Sequence, residues 1–160
     1  MKKLYYYETV IGKIGIAEEY GFVTNICFMN SRQPLESKVI ETEVLKETYF
    51  QLTEYFDGNR KEFDIPLNPY GTDFQHKVWC EVLNLQYGRK ISYKDLALKL
   101  RKDNALRAIG NALHNNPIPI IIPCHRIVLN DGELGGYSGG REIKKFLLDL
   151  EYENSLQFCK

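Results

Sequence analysis

The sequence predicts an α+β protein: an N-terminal antiparallel sheet with one helix, then a helical half that contains a helix-turn-helix. Three observations carry this. Aromatic and β-branched residues crowd the first 30 positions between turn signals. Apolar residues from about position 36 onward recur at helical spacing. A Pro- and Gly-marked break at Pro66, Pro69 and Gly71 divides the two patterns. We therefore place a boundary between an N-terminal α/β domain, 1–68, and a second domain, 69–160.

Taken in order, Leu4–Val10, Ile14–Ala17 and Phe22–Phe28 read as strands of an antiparallel meander, turned at Gly12 and at Glu19-Tyr20-Gly21. Residues 36–57 read as a helix with Leu45, Tyr49, Leu52 and Phe56 on one stripe, stopped by Asp57-Gly58. Phe63–Ile65 reads as a short strand returning to the sheet. Thr72 and Gln75 have the spacing of a capping box, in which each side chain satisfies the other's backbone amide. The helix they open carries Phe74, Val78, Val82 and Leu85 inward and stops at Gly88.

Ser92-Tyr93-Lys94-Asp95 opens the next helix, with Leu96 and Leu100 inward. After a break at Lys102-Asp103, a third runs from Ala105 to His114, burying Leu106, Ile109, Gly110 and Leu113. A break this short makes the pair a helix-turn-helix candidate. Arg107, Asn111 and His114 share the opposite face with Ala108 nearby; that face is either solvated or a DNA-contacting one. Pro117, Pro119 and Pro123 forbid a helix and predict an extended, rigid path, with the Ile120–Ile122 run buried, leading to Cys124. Five glycines between Gly132 and Gly140 allow close approach of backbone to a flat ligand. The final helix, Arg141–Glu151, buries Ile143, Phe146, Leu147 and Leu150 and leaves Glu151 at the border of that face.

Formal net charge is zero, yet it is unevenly spread. Residues 1–70 hold 8 Lys/Arg against 11 Asp/Glu, and residues 71–160 hold 13 against 10. Between Arg89 and Arg126 there are 8 basic residues and only 2 acidic ones. Such a segment is either a solvated face or the footprint of a polyanionic partner. The four cysteines, Cys27, Cys80, Cys124 and Cys159, form no C-x-x-C pair and fit no zinc spacing. No secretory signal and no membrane-length apolar run is visible, so a cytoplasmic location with free thiols is expected.

Cys124 is the candidate nucleophile, since a thiol gains nucleophilicity when a neighbour promotes its ionisation, and His125 and Arg126 follow it directly. Adjacent strand residues point apart, so His125 must reach the sulfur across a turn or through a water. Glu151 could orient the imidazole.

Pro123-Cys124-His125-Arg126, with Asn116-Pro117 before it and Gly135-Gly136-Tyr137-Ser138-Gly139-Gly140 after it, resembles the active-site signature of the O6-alkylguanine-DNA alkyltransferases. The resemblance spans residues 71–152 and includes Gly71-Thr72 with Phe74-Gln75, Val78-Trp79, Ile91-Ser92-Tyr93, Arg107-Ala108-Ile109-Gly110, and Lys144 to Glu151. The N-terminal part resembles the family's ribonuclease-H-like domain. The resemblance implies irreversible, single-turnover transfer of an alkyl group from O6-alkylguanine in double-stranded DNA to Cys124, with activity on O4-alkylthymine left open. It implies His125 as a water-linked base, Glu151 as its polarising carboxylate and Asn116 as the brace of the surrounding turn. Tyr93 would hydrogen-bond the purine edge. Ser138 and Gly139 would present amides to O6, and the carbonyls of Cys124 and Ile127 would accept from the exocyclic amine. Tyr137 would wall the pocket, and Arg107 would fill the gap left by a flipped nucleotide.

By the same resemblance the third helix, with Arg107, Ala108, Gly110 and Asn111, lies in the minor groove. The protein would act as a monomer without cofactor or membrane. Asp73 stands where many bacterial members have Pro, and Ile127 where Val is common. Cys27 alone cannot supply the zinc ligands of some animal members, so no metal is expected. Lesion-recognising relatives replace the cysteine, usually by Trp, which Cys124 argues against. A sequence-specific regulator would need a separate DNA-reading domain, and a Cys–His hydrolase an acyl pocket.

Overall fold

The computed structural model describes residues 1–34 and 36–156. The chain divides into two compact units between Tyr70 and Gly71.

In the first unit, β1 (Lys3–Thr9), β2 (Gly12–Glu19) and β3 (Phe22–Phe28) form the expected antiparallel meander. The β2–β3 hairpin turns through Tyr20 and Gly21, both at positive φ (56° and 83°). Such a turn matches the right-handed twist of the flanking strands. A fourth strand, β4 (Lys38–Val39), pairs parallel to β1, giving the order β3-β2-β1-β4. This strand overturns the expected start of the helix: α1 spans Glu43–Phe56, seven residues shorter at its beginning. The reason is local. Thr42 is the N-cap, its side chain accepting from the Leu45 amide, so helical hydrogen bonding cannot start before it.

The buried stripe of α1 is also rotated from the expected one. Leu45, Thr48, Leu52 and Tyr55 are buried, while Tyr49 and Phe56 are half-buried. No strand forms at 63–65. The chain meets the sheet only at an isolated bridge, Val23 to Leu67, held by Val23 N–H to the Pro66 carbonyl and Asn68 N–H to the Val23 carbonyl. Gln51 of α1 takes the backbone of Asp64 instead, accepting from its amide (2.9 Å).

In the second unit, α2 (Asp73–Leu83) opens on the expected capping box, with both Thr72–Gln75 hydrogen bonds formed. It ends before Leu85, which lies in the following turn, and Gly88 closes that turn at φ +80°. Trp79 ties α2 to α4 by donating its indole N–H to the Ala112 carbonyl (2.8 Å). A buried indole needs such a partner, and this one fixes how the helices meet. Next come β5 (Ile91–Ser92), α3 (Tyr93–Leu100) and α4 (Leu106–His114). The turn between α3 and α4 runs through Arg101 in the left-handed region (φ 56°), a conformation costing a non-glycine residue about 1 kcal/mol. Leu106, expected inward, is 43% exposed because it begins α4 before that helix meets the core.

The proline segment departs from a simple extended path. Ile122 N–H bonds back to the Ile118 carbonyl, and Ile120, fully buried, sits at φ 76°. Prolines prevent a helix but not tight turning, and burial of the isoleucine side chains sustains the strained backbone. The chain then forms a single 3-10 turn, Cys124–Arg126, and runs into β6 (Ile127–Val128). β6 pairs parallel with β5, Ile91 to Ile127 and Ser92 to Val128, a contact too short to be legible in the sequence. It places the first residue of α3, Tyr93, beside the chain that has just left Cys124. The last helix, α5, spans Arg141–Leu156, five residues past the expected end.

Candidate active site

Cys124 opens the 3-10 turn and retains 6% of its surface exposed. Its sulfur accepts from the Asn116 side-chain amide at 2.9 Å. The same amide reaches the Ile122 carbonyl (2.9 Å), and Asn116 Oδ1 accepts from the Ile118 N–H (2.9 Å). One buried side chain therefore spans the turn that carries the thiol. Burial pushes the Cys124 thiol up to about 12; the Asn116 hydrogen bond and the Lys144 charge pull it down but do not prevail. The resting sulfur is thus a thiol, and its proton needs an acceptor before attack.

His125 follows on the same turn and is fully buried. Its Nε2 meets Glu151 Oε2 at 2.6 Å. Burial pushes the imidazole below its ordinary value, the Glu151 contact opposes this, and the charges of Arg126 and Lys144 add to the lowering. Glu151 is not the border residue of the helical wheel but 1% exposed. Its position on α5 faces the 3-10 turn, which covers it. Burial would raise its carboxyl, but hydrogen bonds and charge from His125 and then Arg126 outweigh that and hold it well below the usual carboxylate range.

Two further charged residues are buried in the site. Arg126 donates Nε to Glu151 Oε1 (2.8 Å), Nη2 to Glu151 Oε2 (3.0 Å) and Nη1 to the Leu85 carbonyl (2.8 Å). Arg126 therefore leaves the basic segment: it is buried, whereas Arg89, Lys90, Lys94, Lys99, Arg101, Lys102 and Arg107 are exposed. Lys144 is buried and donates to the carbonyls of Ile127 (2.6 Å) and Gly136 (3.2 Å). Burial lowers its ammonium to about 8, while the nearby Cys124 opposes the shift. Helical spacing would have placed Lys144 beside Ile143 and Leu147, yet a lysine there reads as solvent-facing.

The remaining residues gather around this centre unevenly. Tyr93 is half-buried, and its ring edge lies 3.5 Å from where a Cβ on Gly135 would sit. Tyr137 presents its ring edge-on to the His125 imidazole, centroids 6.4 Å apart. Burial, and then the ionisable Cys124 nearby, raise both phenols, so both keep their protons at neutral pH. Ser138 is half-buried and Gly139 buried in the glycine segment. The Cys124 carbonyl accepts from the Ile127 N–H and the Ile127 carbonyl from Lys144, leaving each a second lone pair. On α4, Arg107, Ala108 and Asn111 are exposed and Gly110 is half-buried with open space at its Cα. Cys27 is buried, Cys80 exposed, and both are free thiols; Cys159 lies outside the described residues. Among the described residues, no three His, Cys, Asp or Glu are grouped to hold a metal.

Residues 3–69 match the family described as 6-O-methylguanine DNA methyltransferase, ribonuclease-like domain, and residues 73–153 match the DNA binding domain of the same family. The chain belongs to the 6-O-methylguanine DNA methyltransferase family. Its relatives include the methylated-DNA--protein-cysteine methyltransferase of Methanosarcina barkeri, 40% identical over 153 residues that cover 94% of this chain and 96% of that one. The constitutive methylated-DNA--protein-cysteine methyltransferase of Bacillus subtilis is 40% identical over 152 residues, covering 90% and 92%. Among solved structures, Mycobacterium tuberculosis OGT in complex with DNA superposes with a TM-score of 0.90 at 34% identity, covering 95% of this chain and 94% of that one. The α+β architecture read from the sequence, with a ribonuclease-like first half, is thus that of the methyltransferase family.

Proposed function

We infer that this protein repairs DNA by moving an alkyl group from O6-alkylguanine onto its own Cys124. The observation that carries the reading is the cluster Cys124, Asn116, His125 and Glu151 within a family whose named relatives are methylated-DNA--protein-cysteine methyltransferases.

The geometry supports the following chemistry. The damaged base is stacked in duplex DNA and must flip out before any side chain reaches its alkyl carbon, at a cost of a few kcal/mol. The Cys124 proton passes to His125, whose charged form Glu151 stabilises. The sulfur lone pair then attacks the alkyl carbon in line, the C–S bond forms, and the C–O6 bond breaks with its electrons leaving on the purine. Tyr93, still protonated, and the amides of Ser138 and Gly139 take up the charge that develops there. The thioether is stable to every side chain present, so each chain acts once.

DNA is the partner. The exposed basic residues of α3, α4 and their flanks supply the attraction to phosphates. We place α4 in the minor groove, with Arg107 filling the gap behind the flipped nucleotide and Ala108, Gly110 and Asn111 allowing close approach. Residues 69–160 carry this chemistry, residues 1–68 form the accompanying domain, and the chain works as a monomer. No described helix is long and apolar enough to cross a membrane. The unpaired cysteines fit a cytoplasmic, reducing setting.

The test is peptide mass spectrometry after incubation with duplex containing O6-methylguanine. The Cys124 peptide should gain one methyl group, about 14 Da; an unmodified Cys124 peptide alongside repaired DNA would overturn the reading.

A further inference from the structure

The turn between α2 and β5 grips the acid–base pair from behind, through a residue that the reaction above does not use. Leu85 accepts from Arg126 Nη1 at 2.8 Å, the Tyr87 ring lies 5.7 Å from the guanidinium carbon, and the Gly88 amide donates to Glu151 Oε1 at 3.1 Å. Glycine is required at 88 on two grounds. Its φ is +80°, and a Cβ there would come within 1.9 Å of Ser155 Oγ on α5. Backbone amide and guanidinium thus converge on one carboxylate that also holds His125, with the Tyr87 ring against the guanidinium.

We propose that Arg126, clamped by residues 85–88, is the positioning residue that fixes Glu151 so that His125 donates from Nε2 and offers Nδ1 as the acceptor for the Cys124 proton. The proposal rests on the reaction inferred above and adds the residue that prepares its base.

An ionised carboxylate can only accept, so the 2.6 Å contact assigns the imidazole proton to Nε2. A neutral ring protonated there carries its lone pair on Nδ1. The lone carboxylate would draw a second proton onto the ring and spoil the base; the permanent guanidinium charge offsets that pull. Among the groups facing His125, Glu151 and Lys144 approach from α5, Arg126 from the 3-10 turn, and the Tyr137 ring from the glycine segment. Of these, Glu151 favours the imidazolium, while Arg126, Lys144 and the burial of the ring oppose it.

Nitrogen-15 NMR on the intact protein tests this, because the chain has only three histidines, His76, His114 and His125. His125 should be neutral with its proton on Nε2 at neutral pH. In Arg126→Gln, its titration midpoint and the acid limb of the single-turnover transfer rate should rise together by about one pH unit, a tenfold loss of rate on that limb. Arg126→Lys, which keeps the charge, should hold the midpoint near that of the parent. A residue that merely supports the fold would slow transfer equally at every pH. An imidazolium or an Nδ1-protonated ring in the parent protein, or an unmoved limb in Arg126→Gln, would overturn the proposal. If Arg126→Gln does not fold, Arg126→Lys carries the test: a midpoint near that of the parent supports the proposal, and a displaced one overturns it. Failure of wild-type alkylation at Cys124 would instead strike the functional reading and leave the His125 midpoints of the Arg126 variants to judge Arg126.

Discussion

Replacing Glu151 by Gln removes the charge on which His125, Arg126 and Gly88 converge while keeping the side-chain shape. Its partner Arg126 is then left ionised with a side chain 7% exposed. Removing one member of a buried ion pair costs about 3–5 kcal/mol, because the other charge stays desolvated without compensation. For a chain of 160 residues, that cost corresponds to a fall in Tm of roughly 6–20 °C. The sign with pH follows from the depressed carboxyl of Glu151. The unfolded state binds the proton first, so the stabilisation is complete above the ordinary carboxyl value of 4.5 and drains away as pH falls below it. His125, also depressed, adds a second loss as pH falls below its ordinary 6.5. Thermal melts by circular dichroism of parent and Glu151→Gln, at neutral pH and near pH 4, measure both effects. The gap between the two proteins should be wide at neutral pH and narrower in acid. Melting temperatures within about 2 °C of each other at neutral pH would refute the claim that this ion pair is buried and ionised.

Other perturbations separate chemistry from binding. Cys124→Ala should abolish transfer and keep duplex affinity in a gel-shift assay; methyl removal by this variant would require another acceptor. Arg107→Ala should slow repair of duplex substrate more than reaction with the free modified base, and an equal loss on both would contradict a role in flipping. Asn116→Ala leaves the Ile122 carbonyl and Ile118 amide without their side-chain partner, which should cost about 1–3 kcal/mol in denaturant melts and slow transfer. Tyr93→Phe should reduce the transfer rate in single-turnover assays while leaving lesion affinity within a few-fold; an unchanged rate would remove Tyr93 from leaving-group assistance.

Local, strongly patterned features were legible in the sequence. The Thr72–Gln75 box and the Pro-Cys-His-Arg motif depend on residues within a few positions of one another, and the meander on short turns that return each strand along the last. The misses share a different physics. β4 and the β5–β6 pair are two residues long each, so their pairing is decided by what lies opposite and not by propensity. Glu151 looked like a border residue because a helical wheel knows nothing of the turn that folds over it. Lys144 and Arg126 were invisible as interior groups, since buried cations are rare and only their carbonyl and carboxylate partners, 8 to 41 positions away, make them tolerable. The proline run showed rigidity but not direction. Its left-handed Ile120 is set by burial, which no local rule forecasts.

The most direct test of cysteine as a consumed acceptor is a titration of the protein with excess O6-methylguanine duplex carrying a labelled methyl group. Label should rise to one methyl per chain, all of it on Cys124, and then stop. Repair that continues beyond one lesion per chain, or label on any other residue, would contradict the account.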